Sequence, residues 1–193
     1  MGVHTDRPLQ PDRSAPPRGT SPARDALRAL FSLAFVRAMV DGVGHYLYEH
    51  VVWRRRIHLS GAARIHPTAS IRNAQNVYVG KESHVNYHCC LWAGETASIR
   101  IGDYLLMGPG VMMFAGNHGM RRDGPPMMHQ PRTEQGQDIV IGDDVWLGAG
   151  VIITGGVTIA DGVVVAAGAV VTRSIETPYA IAGGIPAKVI GSR

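Results

Sequence analysis

From Ile65 onward, large aliphatic residues return every sixth position. Ile65, Ile71 and Val77 set the step, a two-residue shift restarts it at Val79, Val85 and Leu91, and a further offset gives Ile101, Met107 and Met113. The rhythm is strictest at Ile141, Leu147, Ile153, Ile159, Val165 and Val171, and four residues after the first five of these stand Val145, Val151, Val157, Val163 and Ala169. A helix returns to one face every three or four residues and a simple strand every second, so neither produces this period. The pattern predicts one short strand per hexad, with tight Gly-, Asn- and Asp-rich turns between. Large residues point inward, small ones fill beside the corners, three sides close a coil, and the coils stack in parallel around a shared apolar core. Ile and Val suit strands buried in this way.

The first third of the chain reads differently. Residues 1–20, with Pro8, Pro11, Pro16 and Pro17 among polar and charged neighbours, hold almost nothing to bury and are expected to form a flexible tail. Residues 21–61 read as a helical cap segment: Ser21-Pro22 is a good helix start, and Leu27, Leu30, Phe31 and Ala34 recur at helical spacing. The helix is expected to weaken near Gly42 and Gly44. Arg28 and Arg37 interrupt the apolar run, which falls short of the roughly 20 apolar residues a membrane span needs. Two roles remain open for the segment: covering the open first coil, which a solenoid requires, or lying on an anionic membrane surface with Arg54, Arg55 and Arg56. The repeat domain is assigned residues 62–193.

A length of 193 residues suits one domain with appendages. The net charge of +4 is unevenly spread, because residues 1–64 carry ten Lys/Arg against five Asp/Glu and the remainder nine against ten. The repeat domain therefore lacks the clustered cations of a nucleic-acid groove. Cys89 and Cys90 are sequence neighbours that could bridge each other only under strain, and no signal-peptide pattern opens the sequence, so a reducing, cytoplasmic setting is expected. Cys89 falls four residues after Val85, in a small-residue slot, and reads as packing; Cys90 has no assignment.

The repeat breaks over residues 116–138, where "NHGMRRDGPPMMHQPRTEQGQ" carries charge, two histidines and adjacent prolines. Extra residues extruded from a corner leave the core intact, and such insertions commonly carry a repeat protein's function. At the root of this loop stands His118, and histidine is the side chain suited to accept a proton near neutral pH. Asp123, Glu134 or a main-chain carbonyl could orient its ring.

With "VNYH" (85–88), "NH" (117–118), "IVIGDDVWLGAGVIITGGVTIADG" (139–162), "AAGAVVTRSI" (166–175) and "AGGIPAKVI" (182–190), the chain resembles the hexapeptide-repeat acyltransferases, in particular the sugar O-acetyltransferase branch. The resemblance implies a left-handed parallel β-helix, a homotrimer with sites in the clefts between subunits, and direct transfer from acetyl-CoA to a hydroxyl of a sugar or of a polysaccharide or lipopolysaccharide precursor. It assigns His118 as catalytic base and Asn86, His84 and Asn117 to the acceptor, with His84 standing where the family has an aromatic residue. It also lines the CoA path with Trp146, Ala149, Ala167, Thr172, Arg173 and Lys188. No metal is expected. N-acetylation of a nucleotide-linked amino sugar is the alternative in the same class. A noncatalytic scaffold and a three-histidine zinc enzyme of the carbonic anhydrase kind are the alternatives outside it, and the zinc family's histidine pair with four residues between is absent from the repeats.

Overall fold

The computed structural model describes residues 21–193 apart from Glu134, so the tail expected over residues 1–20 lies outside the described residues. The chain divides into two compact units, one ending at Val43 and one spanning Gly44–Arg193.

Helix α1 covers Pro22–Leu30 and α2 covers Leu33–His50. Ser21 holds the N-cap position of α1 in extended conformation, with its carbonyl accepting from Arg24 and Asp25. The single helix expected here is in fact two. Ser32 accounts for the break: its hydroxyl donates to Ala29 O at 2.7 Å and accepts from the Phe35 N–H at 3.1 Å, ending one helix and capping the next. The expected weakening at Gly42 and Gly44 does not occur, and α2 runs through both to His50.

The second unit is a left-handed parallel β-helix of about six turns. Strands of two to four residues form three parallel sheets, one per face. The first face stacks His58–Leu59, Val77–Val79, Ile99–Ile101, Ile139–Ile141 and Thr158–Ile159. The second stacks Arg64–Ile65, His84–Val85, Leu106–Met107, Trp146–Leu147, Val164–Val165 and Ala180–Gly183. The third stacks Ser70–Arg72, Cys90–Trp92, Met112–Phe114, Ile152–Thr154 and Val170–Val171. A last strand, Lys188–Ser192, runs antiparallel to Ala180–Gly183.

Every hexad residue from Ile71 to Val171 is buried, and Ile65 packs against the core from its edge. Val145, Val151, Val157, Val163, Ala169 and Cys89 are buried beside them, as their spacing predicts. The two-residue shift in the sequence also has a structural cause. The three middle strands of the first face have three residues, so alternate positions both face inward: Val77 with Val79, Ile99 with Ile101, Ile139 with Ile141.

Turns on one corner stack through a repeated aspartate. Asp103, Asp143 and Asp161 each accept, through Oδ1, the backbone N–H of Lys81, Asp103 and Asp143 in the preceding coil, at 2.9, 2.7 and 2.8 Å. Glycine is required just before each donating residue, at Gly80, Gly102 and Gly142; a Cβ on Gly102, for example, would stand 2.3 Å from Asp143 Oδ1 and 2.8 Å from the Gly142 carbonyl.

The first coil is covered by the end of α2 and the 3-10 turn Val52–Arg55. Trp53 is buried in the core with Ile71 and Ala74. Glu49, also buried, accepts from the Ser70 hydroxyl and receives Arg72 Nε at 3.0 Å and Nη2 at 2.8 Å on one oxygen. Burial alone would raise the Glu49 pKa. Hydrogen bonds from Ser70 and Arg72, with the charges of Arg72 and His45, outweigh it and hold the carboxyl below its ordinary value.

Candidate active site

The loop leaves the coil after Met112–Phe114 through a short antiparallel neck in which Asn117 pairs with Thr133 and His118 with Arg132. Gly119 N donates to Pro131 O at 3.1 Å, extending the neck by one bond. Beyond it the loop is organised by Gln130, a buried side chain that no sequence pattern singles out. Its amide nitrogen donates to Arg121 O and Pro125 O, and its oxygen accepts from Arg121 N, all at 2.8 Å. Loops with internal polar partners of this kind hold a shape that charge and proline content alone do not specify.

His118 borders a cavity of about 320 Å³ with Arg72, Trp92, Phe114, Asn117 and Arg132. Arg72, Trp92 and Phe114 occupy the same outward register on three successive coils. The Arg72 guanidinium lies 3.8 Å from the Trp92 ring centroid, and Phe114 meets the same ring edge-on at 5.3 Å. Trp92 Nε1 donates to Ser70 Oγ at 2.9 Å, which joins this wall to Glu49. None of Arg72, Trp92 and Arg132 was foreseen. Their only sequence signal is position: Arg72 and Trp92 are outward residues one coil apart.

Asn117 turns its side-chain oxygen onto the backbone N–H of His118 at 3.0 Å, which fixes the root of the loop. Asn86 does the same for Tyr87 at 2.8 Å. The carboxylate of Asp123 lies 3.6 Å from Arg121 rather than on His118, and Glu134 lies outside the described residues.

The other expected site residues form two further groups. On the second face His84, Leu106 and Trp146 stand in direct register, with Leu106 and Trp146 about half exposed. Trp146 thus faces outward, as alternation with Val145 requires. Ala149 and Ala167 occupy successive turns of one corner, where Gly168 N donates to Ala149 O at 2.8 Å. A Cβ on Gly148 would fall 2.5 Å from Ala167 N, so the coils approach closely here and leave the backbone unscreened. Thr172 and Arg173, both exposed, follow Val170–Val171 at the corner from which the loop also departs. Lys188, exposed, opens the antiparallel strand. Within a single chain, His118 with Asn117 is brought to the cavity, whereas His84, Trp146 and the small-residue corner lie on other parts of the prism.

Burial pushes the Cys89 thiol up, so it is held protonated and packed, and its Sγ donates to Gly108 O at 3.3 Å. Cys90 is shifted the same way by burial and then by the Glu49 charge. Neither has the lowered pKa of a nucleophilic thiolate. Among the described residues, no three His, Cys, Asp or Glu side chains gather as a metal-binding group.

Residues 138–173 match the family model described as bacterial transferase hexapeptide (six repeats). Among solved structures, a maltose O-acetyltransferase from Clostridium difficile 630 is 30% identical, with 72% of each chain covered and a TM-score of 0.64. A hexapeptide-repeat-containing acetyltransferase from Vibrio cholerae O1 biovar eltor, complexed with acetyl coenzyme A, is 25% identical over 83% of this chain and 90% of that one, TM-score 0.66. A galactoside acetyltransferase in complex with coenzyme A shares the fold at 23% identity, covering 90% and 92% of the two chains, TM-score 0.66.

Proposed function

The chain belongs to the hexapeptide-repeat acyltransferases, and from that premise we propose that it transfers the acetyl group of acetyl-CoA to a hydroxyl of a sugar, or of a polysaccharide or lipopolysaccharide precursor, with His118 as general base. The observation that carries the reading is His118 at the neck of an internally hydrogen-bonded loop, bordering a cavity with one aromatic wall.

In the proposed reaction the His118 imidazole takes the proton of the acceptor hydroxyl as its oxygen attacks the thioester carbonyl. The tetrahedral oxyanion is held by a backbone N–H, and collapse breaks the carbon–sulfur bond. The CoA thiolate leaves and regains a proton from the imidazolium, giving ester and free thiol. Asn117 acts by fixing the backbone that presents the ring. Asn86, whose side-chain oxygen is already engaged by Tyr87 N, has its amide nitrogen to offer the acceptor, and His84 lines the same subsite.

The cosubstrate is assigned to Trp146, the Ala149 and Ala167 corner, Thr172, Arg173 and Lys188. Because Trp146 and the Ala149 and Ala167 corner stand apart from the His118 cavity in one chain, the reading requires a homotrimer in which the second face of one protomer meets the cavity of the next. The half-exposed Leu106 and Trp146 supply the apolar surface such an interface needs. We assign the enzyme to the cytoplasm. Among the described residues no helix is long and apolar enough to cross a membrane. Peripheral contact with anionic lipid is proposed for the N-terminal segment, where Leu27, Phe31 and Val36 are exposed and Arg54–Arg56 follow.

The test is acceptor-dependent release of CoA thiol from acetyl-CoA. His118→Ala is expected to lower kcat by about 10²–10⁴-fold with the fold intact. Transfer at the wild-type rate in that variant refutes the assignment. An amino-sugar acceptor acetylated on nitrogen, with the hydroxyl analogue inert, would replace the O-acetyl reading with N-acetylation.

A further inference from the structure

Among the described residues, the cavity beside His118 is lined by two arginines and by no aspartate or glutamate. Neutral sugar hydroxyls need acceptors as well as donors, and arginine offers donors only. We infer that the acceptor carries an anionic group, a carboxylate or a phosphate, bound by Arg72 and Arg132 beside the hydroxyl presented to His118. The inference rests on the acetyl-transfer reading above and narrows its substrate class.

The two cations differ in kind. Arg72 is built in: Nε and Nη2 both meet Glu49, its plane lies on Trp92, and Trp92 and Glu49 are tied together through Ser70. Glu49 offsets its charge, so what Arg72 brings is direction, a guanidinium whose Nη1 edge makes no hydrogen bond among the described residues and whose orientation is set before ligand arrives. Arg132 brings a second cation, exposed and on the other side of His118. It stands opposite His118 in the neck of the loop and has no ion pair among the described residues, whereas Arg121 in the same loop is matched by Asp123. Trp92 and Phe114 add an apolar wall for the C–H face of a pyranose ring. An anion between the arginines would make charge-assisted bonds with a fixed fork on one side and an adjustable one on the other.

The experiment measures kcat/KM by thiol release for matched sets of acceptors: a neutral pyranose, its uronate and its 1-phosphate, in the gluco, galacto and manno series. At least one anionic member is expected to exceed its neutral counterpart by about tenfold or more, with the uronate and phosphate arms distinguishing the source of charge. Arg132→Gln is expected to pull that ratio towards one, and rising salt to reduce it in the wild type. Arg72→Lys, which keeps a cation against Glu49 but loses the fork, is expected to raise KM for the anionic member. Neutral acceptors that match the anionic ones, with a ratio indifferent to Arg132→Gln and to salt, overturn this inference and leave acetyl transfer standing. If no acceptor of either kind yields His118-dependent thiol release, the proposed function itself falls.

Discussion

Replacing Gln130 with methionine tests whether the loop is held from within. The change keeps side-chain length and removes all three of its hydrogen bonds, two donated and one accepted. At about 1 kcal/mol net for each, the closed loop loses about 3 kcal/mol, a shift of roughly a hundredfold in its opening equilibrium. None of these bonds reaches a coil, so the thermal midpoint of the β-helix should stay where it is. Amide hydrogen exchange, read at the Arg121 N–H that Gln130 accepts, is expected to speed up by the same roughly hundredfold factor. Acetyl transfer should fall by about tenfold or more, since His118 and Arg132 face each other across the neck and both lose their fixed placement. Unchanged exchange at Arg121 together with unchanged transfer would refute the reasoning and show that the neck alone shapes the loop.

Glu49, whose pKa is lowered on folding, should make stability depend on acid. Its contribution is complete above its ordinary value of 4.5, declines as pH falls below that, and is gone once pH passes the folded value. The difference in Tm between wild type and Glu49→Gln should therefore be largest near neutral pH and shrink on acidification, and a constant difference would remove the link. Gly102→Ala is expected to cost about 1–3 kcal/mol, because Asp143 Oδ1 cannot yield to the new methyl without releasing Asp103 N. Gly42→Ala, in a helix with nothing within 4 Å of the added atom, should instead stabilise by about 0.5–1 kcal/mol. Denaturant unfolding of the two variants checks both signs.

The coils were legible because each inward residue meets its equivalent from the next coil, so the period of the wall is written into the chain. What the chain does not write is contact between outward residues. Trp92 and Arg72 are ordinary letters until the register is known, and the cavity wall that borders His118 exists only once three coils are stacked. The helix break failed for a different reason: Leu27, Leu30, Phe31 and Ala34 keep helical spacing across Ser32, and a hydroxyl that closes one helix while opening another leaves the apolar pattern untouched. The outward orientation of Trp146 was legible because its neighbours Val145 and Leu147 fix the alternation. Gln130 was not, because a polar side chain buried inside a loop has no period at all.

The strand Lys188–Ser192 has a consequence for solubility. It lies antiparallel on Ala180–Gly183, and Arg193 ties it down through a 2.9 Å ion pair to Asp144 and a bond from its N–H to Tyr179 O. A stack of parallel coils would otherwise offer the second face as a template for another molecule to continue, rung upon rung. A reversed rung, exposed along its length, presents the wrong hydrogen-bond spacing for that extension and so blunts this edge against pairing with another molecule.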